Sequence, residues 1–294
     1  MKSSRQGFTL MEVLVSSALT VVILTMLFTV LIGAMNAWQT GTNRLQGNAD
    51  ARMALDSIAQ DLQSMVVRQT TLGQEWLYSE RRPVYPGGID RNSTQLYFFA
   101  PSLDRQPGQQ GDIVAIQYQV AFADPLRGDP DGNVTSTQYN IFGLYKRMES
   151  TRDTFQFVLG QEDIWVSYWQ GRTVPRSRDL MIPNVVDFSI KWNVTGNGVT
   201  GPADVILPGG EDFEVNAVRL NNALRAGPSM SDSDLEDFPS YKLESADISL
   251  TILTQEGMRM VQTFALGPGL NTDNLNRVIR EHGRVYTKRV KIEY

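Results

Sequence analysis

The sequence predicts an α+β protein with one long amino-terminal helix, transmembrane and then amphipathic, packed on a globular domain with an antiparallel β-sheet. Three observations predict this class. An uncharged apolar run occupies residues 13–35, an apolar face at helical spacing follows it, and short apolar runs separated by turn residues fill the chain from residue 68. Helices and strands do not alternate there, which disfavours a Rossmann-like fold.

Composition removes most classes of enzyme. The 294 residues include no cysteine and a single histidine, His282. Disulfides, thiol catalysis and thiolate metal sites are therefore excluded, and so is a multi-histidine metal site. The formal charge of −5 argues against a nucleic-acid-binding domain, which needs a basic face. We expect no cofactor, no metal and no nucleic-acid partner.

The first element is a membrane-length helix. Residues 13–35 contain no charge, and a helix of about 20 apolar residues spans a bilayer. A buried core helix is usually shorter and keeps a polar stripe. Lys2 and Arg5 precede the run, which favours a cytoplasmic amino terminus and an exported remainder. A secretory signal has an apolar core of only about 7–15 residues. Such a signal also lacks a carboxylate like Glu12 before that core.

Residues 7–15, GFTLMEVLV, resemble the class III signal of type IV pilins and pseudopilins. In that family a short basic leader is followed by glycine, phenylalanine, a Thr-Leu-like pair, any residue, glutamate and an apolar helix. Every one of these positions matches here. The resemblance covers about the first 35 residues.

The resemblance implies cleavage after Gly7 and N-methylation of the new Phe8 amine by a prepilin peptidase/N-methyltransferase. Glycine at Gly7 presents no side chain to obstruct the scissile backbone. Loss of Lys2 and Arg5 with the leader takes the formal charge from −5 to −7.

Glu12 lies four residues after Phe8, on the same face of the helix. An unpaired carboxylate in hydrocarbon costs roughly a few kcal/mol, and a nearby cationic amine lowers that cost. The resemblance implies that Glu12 meets the amine of a neighbouring subunit and sets the register of a filament. The alternative is that Glu12 only reaches out to the membrane interface.

The helix continues beyond the membrane. Its predicted apolar face consists of Leu45, Ala51, Leu55, Ile58, Leu62 and Met65. We expect the helix to extend from about Thr9 to about Val67, with an Arg52–Asp56 pair on the other side. Three helical glycines are either points of weakness or neutral; they are Gly33, Gly41 and Gly47.

Four segments are therefore expected. They are a leader at 1–7, a transmembrane or filament-core helix at 8–36, an amphipathic continuation at 37–67 and a periplasmic β-rich domain at 68–294.

The soluble part predicts seven strands, at 96–100, 113–120, 139–147, 165–169, 185–192, 246–254 and 285–292. In the sixth, Ile248, Leu250 and Ile252 alternate with more polar positions. One short helix, 273–282, is expected to stop at Gly283. Long polar loops are expected at 80–94, 101–112, 123–138, 195–213 and 225–240.

Two further resemblances concern the kind of subunit. Residues 52–62 are similar to the post-membrane helix of J-type minor pseudopilins and PilW-type minor pilins. The length of the chain also favours a minor subunit, and Glu12 disfavours a K-type tip subunit. Residues 240–254 bear a weaker resemblance to prepilin-like proteins of the Verru_Chthon cassette type.

Four other features have a plain interpretation beside a functional one. Residues 129–133 begin like a calcium loop, but Asn140 stands where the twelfth-position glutamate would be, so a tight turn is favoured. The acids Asp232, Asp234, Glu236 and Asp237 could collect cations, but a solvated loop is favoured. Trp165, Tyr168 and Trp169 could form a platform for a carbohydrate or a partner protein, but packing in the sheet core and at its edge is favoured. A catalytic His282 would need an orienting carboxylate, and Glu281 is expected to point elsewhere on the helix, so a surface position in a basic tail is favoured. That tail is either a solvated strand face or a contact for an acidic neighbouring subunit.

We therefore predict a non-enzymatic minor pilin or pseudopilin of a type II secretion pseudopilus or a type IV pilus. Its partners would be the prepilin peptidase, other pilin or pseudopilin subunits and the lipid of the inner membrane. It would begin as a single-pass protein of the bacterial inner membrane, with its amino terminus cytoplasmic and its carboxyl-terminal domain periplasmic. The alternative is a membrane-anchored periplasmic binding module or enzyme with an uncleaved amino terminus.

Overall fold

The structure is a computed structural model, and it describes part of the chain. The described residues are 9–67, 74–83, 89, 91–102, 111–125, 140–160, 168–169, 176–196, 199–202, 217–220, 223–227, 235–267 and 269–292. The chain divides into two compact units, Met1–Asn48 and Ala49–Tyr294.

The first unit contains most of helix α1, Leu10–Gln63. The segment Leu10–Gln39 is long and apolar enough to cross a membrane, with a mean hydropathy of 2.5. All of its side chains are exposed in the isolated chain. The helix therefore presents its apolar surface to whatever surrounds it, as a membrane or filament-core helix must.

The amphipathic end of α1 belongs to the second unit. Ala51, Leu55, Ile58, Leu62 and Met65 are buried in the main core, as the helical spacing predicted. The sixth member of the predicted face, Leu45, has no described side chain.

Helix α1 ends at Gln63, four residues before the expected end near Val67. The amide of Met65 still bonds back to Leu62 O, at 3.2 Å. The amide of Val66 instead donates to Phe99 O, at 2.8 Å. Because a strand supplies the acceptor that the helix would have supplied, the chain leaves the helix at this point.

The remaining described elements form two antiparallel sheets, two helices and short helical turns, among them Thr151–Asp153, Thr154–Val158 (π-helical) and Ser177–Asp179. The strands are β1 Leu77–Pro83, β2 Asn92–Pro101, β3 Ile113–Ala123, β4 Ile141–Met148, β5 Leu180–Pro183, β6 Val185–Gly196, β7 Val199–Pro202, β8 Ala217–Leu220, β9 Leu224–Gly227, β10 Glu236–Phe238, β11 Tyr241–Leu253 and β12 Gly283–Lys291. Helices α2, Gln255–Leu266, and α3, Thr272–His282, follow β11. Within the described ranges, one sheet has the order β10-β9-β8-β1-β2-β3-β4-β5 and the other β12-β11-β6-β7.

The fold class predicted from the sequence is confirmed: a long apolar helix precedes an antiparallel β-domain. The alternation in β11 is confirmed up to Leu250, because Ile248 and Leu250 are fully buried while Ser249 between them is only partly buried. It ends there, since Thr251 and Leu253 on the other face are buried as well. Ile248 and Leu250 lie opposite Ile190 and Phe188 of β6, which continue the same apolar layer. The main core combines this layer, the inward face of the larger sheet and the buried face of α1.

Three local expectations were wrong. Tyr168 and Trp169 form part of a π-helical turn, not a strand, and the rest of that predicted strand lies outside the described residues. Asp56 pairs with Lys288, at 2.5 Å, and not with Arg52, because β12 passes beside the helix. Parts of three expected loops are strands, namely β1, the end of β6 with β7, and β9 with β10.

The predicted short helix is present as α3, one residue longer than expected. Gly283 ends it and opens β12. Helix α2 was not predicted. Its signal was Thr254, whose hydroxyl accepts a hydrogen bond from the Gly257 amide at 3.2 Å, as a helix N-cap does.

A second apolar cluster covers the outer face of the larger sheet. It contains Trp76, Tyr78, Tyr97, Phe99, Ile113, Ala115, Val158, Tyr168 and Trp169. Trp169 has no exposed surface, and its ring lies 5.3 Å from that of Tyr97. The packing interpretation of Tyr168 and Trp169 is thus confirmed, while Trp165 lies outside the described residues.

Candidate processing and assembly site

The structure describes only the second half of the predicted signal. The residues on which the cleavage prediction depends lie outside the described part of the chain: Lys2, Arg5, Gly7 and Phe8. Thr9 and Glu12 are described. Together they form the start of α1, where the predicted cleavage would leave a new amino terminus one residue before Thr9.

Thr9 caps the helix. The Glu12 amide donates to Thr9 O at 3.1 Å and lies 3.3 Å from Thr9 Oγ1. The Thr9 hydroxyl also donates to Glu12 Oε2 over a long 3.5 Å. The residue types fit a capping box, in which threonine at the N-cap is followed three positions later by glutamate; here the Glu12 carboxylate contacts the Thr9 hydroxyl. The family resemblance had given Thr9 no role, although Thr-x-x-Glu before an apolar run signals a helix start.

Two features of its surroundings affect the Glu12 carboxylate in the first turn of α1. Its negative charge lies where the partial positive charge of the helix amino terminus stabilises it. Its neighbours are apolar and face outward, with Leu10 80% and Met11 72% exposed. A carboxylate on such a surface needs a cationic partner once the surface is covered by lipid or by other helices.

The serine and threonine hydroxyls of the apolar segment donate to backbone carbonyls of the same helix. The hydroxyl of Ser16 donates to Glu12 O at 2.7 Å, and that of Thr20 donates to Ser16 O at 2.7 Å. Thr25 and Thr29 make the same i−4 bonds, at 2.7 and 2.9 Å. These hydroxyls therefore carry little cost in an apolar environment. Glu12 is the one acidic or basic residue in Leu10–Gln39.

In the second unit, two ion pairs attach α1 to the sheets. Asp61 accepts a hydrogen bond from the Tyr118 hydroxyl and lies 2.6 Å from Lys146 Nζ, in a partly buried setting. Burial, together with the Asp61 charge, raises the pKa of Tyr118 well above its ordinary value, so this phenol stays a donor. The more exposed Asp56–Lys288 pair lies one and a half turns earlier. The helix is thus fixed to both sheets.

The candidate metal and catalytic features find no further support. Residues 129–133, Asp232 and Asp234 lie outside the described part. Of the described acids, Asp237 pairs with Arg225 at 2.8 Å. No cluster of three metal-ligating side chains occurs among the residues that the structure describes.

His282 differs from its predicted surface position. Its side chain is only 17% exposed, because α2 and α3 approach so closely that a Cβ on Gly257 would lie 2.6 Å from His282 Cβ. Glu281 does not point away as expected: its Oε2 lies 3.9 Å from His282 Nε2. That distance is too long for a hydrogen bond, so Glu281 does not orient the ring as a catalytic carboxylate would.

Comparison with known proteins bears on the amino terminus. Residues 2–28 match the family model of the prokaryotic N-terminal methylation motif. No curated protein matched the chain. Among solved structures, a type IV-like pilin from Thermus thermophilus aligned over 83% of this chain and 95% of its own length, with 10% identity and a TM-score of 0.29. A TM-score this low does not establish a shared fold.

The motif match confirms the type IV pilin-like character of the amino terminus. It includes Gly7, Phe8 and Glu12 and ends within the apolar helix. The motif supports a pilin-like or pseudopilin-like role, and with the exposed apolar helix it indicates membrane anchoring.

Proposed function

We propose that this chain is a structural, non-enzymatic minor subunit of a pilus-like filament, either a type II secretion pseudopilus or a type IV pilus. The observation that carries the proposal is the single carboxylate, Glu12, at the capped start of an exposed apolar helix. A soluble enzyme or binding domain has no use for such a helix. A subunit that moves from lipid into a bundle of like helices requires one.

Processing is the first step of the proposed mechanism. A prepilin peptidase cleaves after Gly7 and methylates the amine of Phe8, which keeps its positive charge. The motif match over residues 2–28 supports this step. Lys2 and Arg5 hold the leader in the cytoplasm, so that the β-rich domain is periplasmic in the inner-membrane precursor.

Assembly is the second step. The apolar helix leaves lipid for the helix-lined core of the filament, where packing against neighbouring helices replaces contacts with lipid. The Glu12 carboxylate then pairs with the Phe8 amine of a neighbouring subunit. Because an unpaired charge in the apolar core is costly, this pair selects one axial register.

The assignment as a minor subunit rests on sequence. Residues 52–62 resemble J-type pseudopilins and PilW-type pilins, and the chain of 294 residues is long for a major subunit. Glu12 is the residue that a K-type tip subunit typically lacks. The contacts of Asp61 with Tyr118 and Lys146 hold the end of α1 against the larger sheet of the periplasmic domain.

The processing step is tested by replacing Gly7 with leucine and measuring the mass of the full chain recovered from membranes. We expect the Gly7→Leu precursor to keep its leader and accumulate in the inner membrane. A Ser4→Ala variant, also within the leader but away from the scissile bond, should be processed normally. Normal processing of Gly7→Leu would refute the peptidase proposal.

The assembly step is tested by Glu12→Gln, which keeps the size and the capping geometry but removes the charge. We expect normal leader removal and loss of the subunit from sheared filaments. If Glu12→Gln enters filaments as efficiently as the parent, the proposed role of Glu12 in assembly is refuted. If the parent keeps its leader and is absent from filaments, the uncleaved periplasmic anchor becomes the better account.

A further inference from the structure

The apolar segment of α1 ends in an exposed tryptophan. Trp38 is the next-to-last residue of Leu10–Gln39, and its side chain is 78% exposed. Met35, in the preceding turn, is an exposed apolar side chain as well. Residues 39–43 read QTGTN and contain no apolar side chain, and the next charge is Arg44. Trp38 therefore lies at the boundary between the apolar and the polar part of the helix.

The spacing of Glu12 and Trp38 fits the thickness of a bilayer. At 1.5 Å per residue, α1 rises about 39 Å from Glu12 to Trp38. The hydrocarbon core of a bilayer is about 30 Å thick, and the interfacial layers extend it to about 40–45 Å. The two residues therefore cannot both lie in hydrocarbon. They fit one in each interfacial layer, even when the helix is tilted by about 20°.

The chemistry of tryptophan suits the interfacial layer. Its ring has a large apolar body and one N–H donor, and such rings are enriched where hydrocarbon meets headgroups and water. Long side chains on a helix lean toward its amino terminus, so we expect the indole of Trp38 to cover the turn around Ala34 and Met35. Phe28, the other aromatic residue of Leu10–Gln39, has no polar atom and suits the hydrocarbon.

We propose that Trp38 binds the periplasmic lipid interface of the inner membrane and fixes the depth of α1 before assembly. Its partner is the layer of a phospholipid bilayer where the acyl chains meet the headgroups. A helix held at this depth presents Glu12, and the scissile bond before it, at the cytoplasmic face of the membrane. The inference takes its orientation from the proposed function, but it does not depend on cleavage or on a filament.

The depth of the indole is measured by fluorescence quenching. The full chain is reconstituted in phosphatidylcholine vesicles whose acyl chains are brominated either near the headgroup or near the methyl end. The signal of Trp38 is the difference between the parent and Trp38→Phe, since Trp76, Trp169 and Trp192 are buried in the second unit and cancel. We expect the shallow bromines to quench this difference at least about twofold more strongly than the deep ones.

The anchoring effect is measured by labelling a cysteine. The chain has no cysteine, so Thr42→Cys, at an exposed position one turn after Trp38, is a unique label for a membrane-impermeant maleimide added from the periplasmic side. Trp38→Leu favours hydrocarbon and should draw the helix deeper, which lowers the labelling rate at least about twofold. Trp38→Tyr keeps an amphipathic ring and should restore the rate. Phe28→Leu, the matched control in mid-helix, should leave it unchanged.

Three results would each overturn the proposal. The first is quenching of Trp38 by deep bromines as strong as by shallow ones, or by neither. The second is a labelling rate at Thr42→Cys that Trp38→Leu does not change. The third is loss of Trp38→Leu from filaments with unchanged depth, which would assign Trp38 to a contact with a neighbouring subunit. Leader removal is scored separately by the mass of the chain, so a failure of processing remains distinguishable from a failure of the anchor.

Discussion

The contact between the end of α1 and the larger sheet allows the clearest test of how much a buried ion pair stabilises the β-rich domain. Asp61 is the common partner of Tyr118 and Lys146, and its side chain is 18% exposed. The Asp61→Ala substitution removes a hydrogen bond to an ionised acceptor, worth about 1.5–3 kcal/mol. It also removes a partly screened ion pair, worth about 0.2–1 kcal/mol. We therefore expect a loss of about 2–4 kcal/mol in the free energy of unfolding.

The same helix provides a matched control. Asp56 also pairs with a lysine, but its side chain is 69% exposed, so Asp56→Ala should cost under about 1 kcal/mol. Both variants of the full chain are unfolded with denaturant in detergent and followed by tryptophan fluorescence, since Trp192 lies in the main core. If Asp61→Ala and Asp56→Ala lower the free energy of unfolding equally, burial does not explain how strongly Asp61 stabilises the fold through Tyr118 and Lys146.

Three further predictions follow from individual contacts. Ile58→Ala, at a fully buried position of α1, should destabilise the second unit by about 2–5 kcal/mol in the same assay, and a loss under about 1 kcal/mol would contradict the packing. Thr9→Ala should destabilise the first turn of α1 by about 1 kcal/mol, because it removes the N-cap hydroxyl. Amide hydrogen exchange should become faster at Glu12 and stay unchanged beyond Thr20. Unchanged amide exchange at Glu12 would exclude the cap. Burial, with the Asp124 charge, raises the pKa of Tyr145 to about 12, above the ordinary value near 10. The folded state therefore holds this proton more tightly, and stability should fall as pH rises from about 10 to 12; the fall should be smaller in Tyr145→Phe, and an identical pH profile would contradict the assignment.

The sequence predicted the features that depend on strong local patterns. The apolar run, the helical spacing from Ala51 to Leu62 and the alternation of β11 each recur over several residues, and each was confirmed. The signal around Glu12 was found because its residue types and order match a known motif.

The features that were missed depend on partners distant in the chain. Strands β8, β9 and β10 are only three or four residues long and carry arginines and acids, so their pairing was not visible in a local pattern. Asp56 pairs with Lys288, which lies 232 residues further along the chain, and not with Arg52 on the same helix. Trp169 resembles a strand residue locally, but it packs in a π-helical turn against Tyr97 and Arg147.

The central claim is that Glu12 is tolerated at the head of an apolar helix because a newly formed, cationic chain end neutralises it. The most direct measurement is the amino-terminal peptide of the chain from its native membranes, identified by mass spectrometry. The account predicts a peptide that begins at N-methylated Phe8. A peptide that still contains Met1 or Lys2 would contradict it.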